Sequence, residues 1–342
     1  MNISEERSCP KWICLIGACT VLLLLLCACD KPDPLPVEGD FSEFTAEETA
    51  FLEEVFDRDI SKITQSHLNT VYTLSFVGDR ILRSDFTFTD CSEEGYMYNG
   101  ELVPYDMDCA PDLSLLRLFP NLKNLGIYFC PALTDASGLA ALQRLEKLSM
   151  YMTSVTDLSS LSSLTDLSYV FLRGTPVKTI SFAENNHMNH LQISNAALTD
   201  LSFLERCPTL TLLYIKHNTV PLQNTEHITA LTGLYTLSIL APDTDFSFLK
   251  NVTAPIAVLG LGGTENIDLN MSEILCKSVQ NISVANSGIV DLSPLDACSA
   301  LTMLGLYVVK DYTDPKGVAE KIENFIVSDL SYDFFLFWKP EV

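Results

Sequence analysis

Apolar residues follow a mixed rhythm along this chain. Leu139, Leu142, Leu145 and Leu148 recur every third position, Met150 follows after one residue, and Val155-Thr156-Asp157-Leu158-Ser159 turns a corner before Leu161 restarts the pattern. A helix of 3.6 residues per turn does not produce that mixture, and neither does a lone strand. A coil carrying one short strand does, provided that its inward residues stack on those of its neighbours. The motif recurs with Leu125, Leu148, Val170, Leu191, Leu213, Leu237, Leu259, Ile282 and Leu304 as first strand residues, spaced 21 to 24 apart. Two residues on stand Ile127, Met150, Leu172, Ile193, Ile215, Ile239, Leu261, Val284 and Leu306. Leu74-x-Phe76 fits as an earlier rung, and the 51 residues to Leu125 predict an insertion there.

The period of about 22 residues, with corners Thr156-Asp157-Leu158-Ser159, Thr199-Asp200-Leu201-Ser202 and Val290-Asp291-Leu292-Ser293-Pro294-Leu295, resembles bacterial internalin-type leucine-rich repeats. The resemblance covers about residues 43 to 310. It implies an α/β solenoid, a horseshoe with a parallel β-sheet on its concave side and 3₁₀ turns and loops on its convex side. The chain departs from the family at the asparagine five residues after each marker. Asn218 retains it, whereas Thr153, Thr175, Ala196, Thr264 and Ser287 stand at the corresponding places.

Both ends of the repeat region carry different patterns. Residues 43–70 predict an N-terminal helical cap: Thr45-x-x-Glu48 is a capping box, followed by Phe51, Leu52, Val55 and Phe56 at helical spacing. Such a cap covers the bare core and open strand edge of a terminal coil. The solenoid is expected over 71–310, with an acidic insertion at 82–113 read as a projecting recognition loop. Cys91 and Cys109 lie near its ends, and in an oxidising compartment a bridge between them would contribute about 3 kcal/mol in the chain-entropy model. Cys207, Cys276 and Cys298 each precede an inward residue by three, as core-filling small hydrophobes do. Cys276 and Cys298 are 22 apart, so they stack on adjacent coils within reach of a bridge. Residues 311–342 read as a C-terminal cap, with a helix over Asp314–Phe325, a last strand at Ile326-Val327 and the apolar run Phe334 to Trp338.

The N-terminus changes the cellular picture. Residues 1–28 have the layout of a secretory signal peptide, with Arg7 and Lys11 ahead of an apolar stretch. It ends Leu26-Cys27-Ala28-Cys29, which looks like a bacterial lipobox and marks Cys29 as the lipidated residue. Two or more acyl chains would hold the protein stably at a membrane. A rival box ends at Cys19, and an uncleaved anchor helix is the other reading of the same stretch. Residues 29–42, rich in proline and acid, are then a tether. The body is expected outside the cytoplasm, in the bacterial cell envelope. The net charge of −23 disfavours nucleic acid as a partner, because phosphates are repelled.

Function is sought on the concave face. If the marker pairs point inward, the flanking and intervening positions point outward. Aromatic and cationic residues gather on the earlier rungs: Tyr128, Lys147, Tyr151, Tyr169, Phe171, Arg173, Tyr214 and Lys216. These residue types dominate binding hot spots, and in an acidic chain they suit an anionic or ring-bearing partner. Tyrosines that merely pack across the sheet are the competing explanation. The expected role is a non-catalytic, envelope-anchored protein, monomeric and without cofactor, that binds a protein or glycan partner. A structural scaffold of the envelope with no concave ligand is the alternative. No GxSxG, HExxH or phosphate-binding loop occurs, and neither a metal site nor zinc-type cysteine spacing is indicated. His187, His190 and His217 read as surface histidines.

Overall fold

The computed structural model describes residues 44–84, 86, 95–98, 101–184 and 187–329. Cys29 with its leader, Cys91, and the run Phe334 to Trp338 lie outside the described residues.

In chain order the strands are β1 (Thr73–Val77), β2 (Arg80–Leu82), β3 (Gly95–Tyr98), β4 (Glu101–Pro104), β5 (Asn124–Cys130) and β6 (Lys147–Thr153). Next come β7 (Asp157–Leu158), β8 (Tyr169–Arg173), β9 (Thr179–Ile180), β10 (His190–Ser194) and β11 (Leu212–Lys216). The series ends with β12 (Thr236–Leu240), β13 (Val258–Gly262), β14 (Asn281–Asp291), β15 (Met303–Thr313) and β16 (Asn324–Ser328).

One 12-stranded sheet runs β16-β15-β14-β13-β12-β11-β10-β8-β6-β5-β1-β2, parallel throughout except for the terminal β1–β2 pair. The predicted markers are the register: Leu74 pairs Leu125, Leu125 pairs Leu148, Leu148 pairs Val170, and so on to Ile282 with Leu304. Stacking identical positions puts every apolar pair in one continuous core that extends from Phe51 to Val318. Each fully buried leucine of that core contributes roughly 1.5–3 kcal/mol of transfer free energy.

The same backbone device recurs on β1, β5, β6, β8, β10, β11, β13, β14 and β15, and is missing from β12. The residue four beyond the marker takes the left-handed conformation at Gly78, Phe129, Met152, Gly174, Asn195, His217, Gly263, Asn286 and Val308. The chain then turns through a corner in which a serine N–H donates to an aspartate Oδ1 two residues earlier. These bonds are 2.8 Å for Asp135–Ser137 and Asp157–Ser159, 2.6 Å for Asp200–Ser202 and 2.9 Å for Asp291–Ser293. The local aspartate bond supplies one of the donors' partners that a 3₁₀ turn leaves open. The 3₁₀ turns that follow include Ser137–Ala141, Ser159–Ser163, Ser202–Arg206 and Ser293–Ala297.

The retained asparagine satisfies buried backbone. Asn218 Oδ1 accepts from Leu198 N at 2.9 Å, while its Nδ2 donates to Leu198 O at 2.7 Å and Val220 O at 2.6 Å. At the same level three and two coils earlier, the Thr153 and Thr175 hydroxyls bond each other at 3.2 Å instead. Cys130 holds that position on the first coil after the insertion, with its Sγ 3.2 Å from Cys109 Sγ.

At the N-terminus, helix α1 (Ala46–Phe56) carries the predicted capping box: Glu48 N donates to Thr45 Oγ1 at 3.1 Å and Thr45 N to Glu48 Oε2 at 2.7 Å. Its apolar face brings Phe51 to 6.3 Å from Phe76 and 5.9 Å from Phe119, ring centre to ring centre. A second helix, α2 (Gln65–Asn69), repeats the capping box through Thr64 and His67. On the convex side of a later coil, α3 (Glu273–Ser278) takes the place of a 3₁₀ turn. The C-terminal end differs from expectation. The helix there, α4 (Val318–Lys321), is a single turn, and Phe325, expected on that helix, lies in β16 opposite Leu304. The reason is register: Phe325, 21 residues after Leu304, takes the marker position of one more strand, while Val318 stays in the helix and Ile322 caps its end.

Candidate ligand-binding face

In-register parallel pairing aligns three rows of side chains across the concave face. The first row reads Lys147, Tyr169, His190 and Leu212; the second Ser149, Phe171, Gln192 and Tyr214; the third Tyr151, Arg173, Ser194 and Lys216. Strand spacing of roughly 4.8 Å puts neighbours within each row in contact range.

Six of the predicted residues form an accessible patch. Lys147 and Arg173 are exposed; Tyr151, Tyr169, Phe171 and Tyr214 are half-buried. The Arg173 guanidinium lies 5.6 Å from the Tyr151 ring centre, a cation–π arrangement that also fixes the arginine's direction. Tyr169 stacks on His190 at 4.3 Å with 24° between planes. Burial pushes the Tyr169 hydroxyl pKa up and the His190 imidazole pKa down, so His190 is neutral at pH 7. His190, read from the sequence as a surface histidine, is therefore part of the aromatic layer. Its signal was its place in the same outward row as Tyr169.

Two predicted residues lie elsewhere than on the open surface. Lys216 is 2% exposed, and its Nζ sits 4.7 Å over the Tyr214 ring centre. Tyr128 is 8% exposed, covered by Phe86 at 5.3 Å. Phe86 belongs to the insertion, whose described part folds back on the sheet. Its hairpin β3–β4 presents Tyr96, which stacks on Phe129 at 4.7 Å and 7°, and donates its hydroxyl to Val77 O at 3.2 Å. Tyr105 lies 5.0 Å from the same Phe129 ring, and Phe129 in turn meets Tyr151 edge-on at 5.2 Å. So these residues form a docked wall, correcting the projecting loop expected from sequence. Tyrosine and phenylalanine recurring in an otherwise acidic insertion were the available sign.

Later rungs offer little to hold. Ser238, Gly260, Ser283 and Gly305 follow in the second row, and Leu240, Gly262, Ala285 and Tyr307 in the third, all of them buried. The aromatic patch is thereby bounded by the hairpin on one side and, on the other, by rungs whose second row is buried serine and glycine. Beside the hairpin's base, a cavity of about 270 Å³ is lined by Phe51, Glu54, Phe76, Asp79, Asp106 and Cys109, among others. Burial, with Asp79 nearby, raises the Glu54 pKa. Among the described residues no group of three histidine, cysteine or acidic side chains could hold a metal ion. Cys109, expected to pair with Cys91, has Cys130 as its neighbour at 3.2 Å.

No family model matches the chain, and no curated protein matches its sequence. Its structure does have counterparts. An internalin (inlF) from Listeria monocytogenes superposes with a TM-score of 0.60 at 22% identity, over 83% of this chain and 74% of the other. The Leptospira interrogans LRR protein LIC12759 superposes with a TM-score of 0.51 at 17% identity, over 64% of this chain and 58% of its own. At these identities the likeness is one of fold. The repeated coil, the parallel concave sheet and the 3₁₀ convex turns make this chain an internalin-like leucine-rich-repeat solenoid.

Proposed function

We propose that the protein is an extracytoplasmic, envelope-anchored binding protein that captures a protein partner on its concave face without catalysing a reaction on it. One observation carries the reading: Lys147, Tyr151, Tyr169, Phe171, Arg173 and Tyr214 share one face of strands β6 to β11 in register, each exposed or half-buried, with Gln192 of β10 between Phe171 and Tyr214. Aromatic rings bury large area at small entropic cost, and arginine adds directed charge. The solenoid core holds these side chains on rigid strands, so little ordering is required on association. Against a net charge of −23, two cations among ring faces select a partner surface with carboxylates beside aromatic or planar groups. A glycan that stacks on the rings and bonds to Arg173 is the smaller ligand of the same chemistry.

Anchoring rests on Cys29 in Leu26-Cys27-Ala28-Cys29, reached through the tether of residues 29–42. The test uses the full chain, purified in detergent, as bait for envelope and host-surface proteins. The comparison is Tyr169→Ala/Phe171→Ala/Arg173→Ala, checked for an unchanged circular dichroism spectrum. A partner held by the native chain and lost by the triple variant supports the site. Equal capture by both chains refutes the concave patch. For the anchor, Cys29→Ala is expected to move the protein from the membrane to the soluble fraction and to abolish labelling by a radioactive fatty acid.

A further inference from the structure

We propose that Cys109–Cys130 and Cys276–Cys298 are two disulfide sites, each joining neighbouring coils once the protein leaves the reducing cytoplasm. The sulfurs are 3.2 Å apart in the first pair and 3.0 Å in the second. A disulfide holds its sulfurs about 2.05 Å apart, so closure requires each to move by roughly half an ångström. Register makes the second pair: Cys276 ends a coil on α3, Cys298 follows the 3₁₀ turn Ser293–Ala297, and the 22 residues between them are one repeat. The first pair arises from the insertion. Its returning strand of chain brings Cys109 against Cys130 at the end of β5, where Cys109 O also accepts from Ala132 N at 3.1 Å. Cys109 Sγ lies 2.8 Å from Gly78 O as well, so one contact gathers β1, β5 and the base of the insertion.

Access is built in at the first pair. Cys130 is fully buried, whereas Cys109 lines the open cavity beside Glu54 and Asp79. Hydrogen bonding from Cys130 lowers the Cys109 thiol pKa, while the same contact and burial push Cys130 up. Cys109 is thus the attacking thiol and Cys130 the resolving one. The oxidant is an external disulfide, from a small molecule or a protein. The Cys109 thiolate breaks that S–S bond, forms a mixed disulfide and releases one thiolate. Cys130 then attacks the Cys109 sulfur and releases the second. Two electrons and two protons end on the oxidant's two thiols. The same balance applies to Cys276 and Cys298.

The bridges join different parts of the solenoid. One ties the hairpin-bearing insertion to the first full rung, and the other clamps the coil pair just before the C-terminal end. This chemistry suits an oxidising compartment and so rests on the export proposed above.

The experiment is peptide mapping of the full chain, extracted from membranes in detergent, alkylated without reductant and digested. Native protein, and protein first reduced and then treated with oxidised glutathione, are compared. Linked peptides Cys109–Cys130 and Cys276–Cys298 are expected, each two hydrogens lighter than the sum of its reduced parts. Cys207, whose Sγ faces Phe203 O at 3.8 Å, is expected to take the alkyl label. Alkyl label on all four cysteines in both samples overturns the proposal. A Cys91–Cys109 link overturns the first pair, and either pair found labelled alone overturns that pair. Melting provides the second readout: dithiothreitol is expected to lower the Tm of the native chain by on the order of 5 °C. The Cys130→Ser/Cys298→Ser variant should melt at one temperature with or without reductant, and a reductant effect persisting in it refutes the assignment.

Discussion

The Tyr307 ring lies across Gly305, two residues back on the same strand, so that a Cβ on Gly305 would fall 2.4 Å from its Cε2. The relationship is repeated at the other end of the sheet, where a Cβ on Gly126 would fall 2.2 Å from Tyr128 Cε2. In both strands the tyrosine leans along the chain and covers the backbone that the glycine leaves bare. Tyr307 is 2% exposed and packs with Leu240, Ala285 and Ile326, so its ring cannot swing away without unpacking them. Gly305→Ala is therefore expected to destabilise the fold by about 1–3 kcal/mol, the usual penalty for overpacking. In Gly305→Ala/Tyr307→Ser the methyl meets no ring, and the double-mutant cycle in urea should show a coupling that cancels most of the glycine effect. Additive losses would refute the ring–glycine contact.

Asn218 is expected to be the most sensitive polar position on the turn side of the sheet. Its amide satisfies Leu198 N, Leu198 O and Val220 O, all backbone groups that water does not replace once the coils are stacked. Asn218→Ala should lower the unfolding free energy by about 1–3 kcal/mol for the groups left open. Thr153→Ala, which removes one hydroxyl contact to Thr175, should cost less. Chemical denaturation of both variants under one condition checks the order.

Acid should weaken the coil corners. The backbone N–H of Ser137, Ser202 and Ser293 lowers the pKa of Asp135, Asp200 and Asp291 respectively below the ordinary aspartate value. The unfolded chain therefore binds protons first. Stabilisation from these corners is complete above about pH 4, the unfolded value, and fades as pH falls through the lower folded values. Melting temperature measured from pH 6 to pH 3 should drop in the acid range. Asp135→Ala/Asp200→Ala/Asp291→Ala should start lower at pH 6 and show a shallower fall.

His190 acts in the same direction at higher pH. Its folded pKa is depressed by burial against Tyr169, so its share of stability is present above about pH 6.5 and lost as pH falls below that value. His190→Phe keeps the stack and removes the proton. Its stability should be flat between pH 7 and pH 5 at this position, compared with a decline in the native chain. Titration of the His190 ring by NMR should give a midpoint below the ordinary histidine value.

The hairpin should detach independently of the solenoid. Tyr96 is 1% exposed and supplies both the stack on Phe129 and the hydroxyl bond to Val77 O. Tyr96→Ala is expected to raise protease cleavage between residues 86 and 104 on the order of tenfold, a local opening, while the coils beyond Lys147 stay resistant. Cleavage spread evenly along the chain would show that the hairpin is part of the global unit.

The spacing of apolar residues was enough to read the solenoid, because stacked coils demand the same residue type at the same place in every repeat. Leu148 can lie only where Leu125 and Val170 lie, and so the markers became the register of the sheet. The capping box at Thr45 and Glu48 was legible for a similar reason, since its partners are three residues apart. Contacts between distant segments carry no such period. Nothing in the spacing of Tyr96 and Phe129, 33 residues apart, announces that their rings stack. Burial of Tyr128 under Phe86, the meeting of Cys109 with Cys130, and the folding of Tyr307 over Gly305 depend on where the insertion and the neighbouring side chains settle. Periodicity thus named the outward columns of the concave face, and tertiary packing decided which of their residues remain accessible. Local and repeating interactions are written in sequence distance, whereas the filling of one unrepeated space is decided by shape.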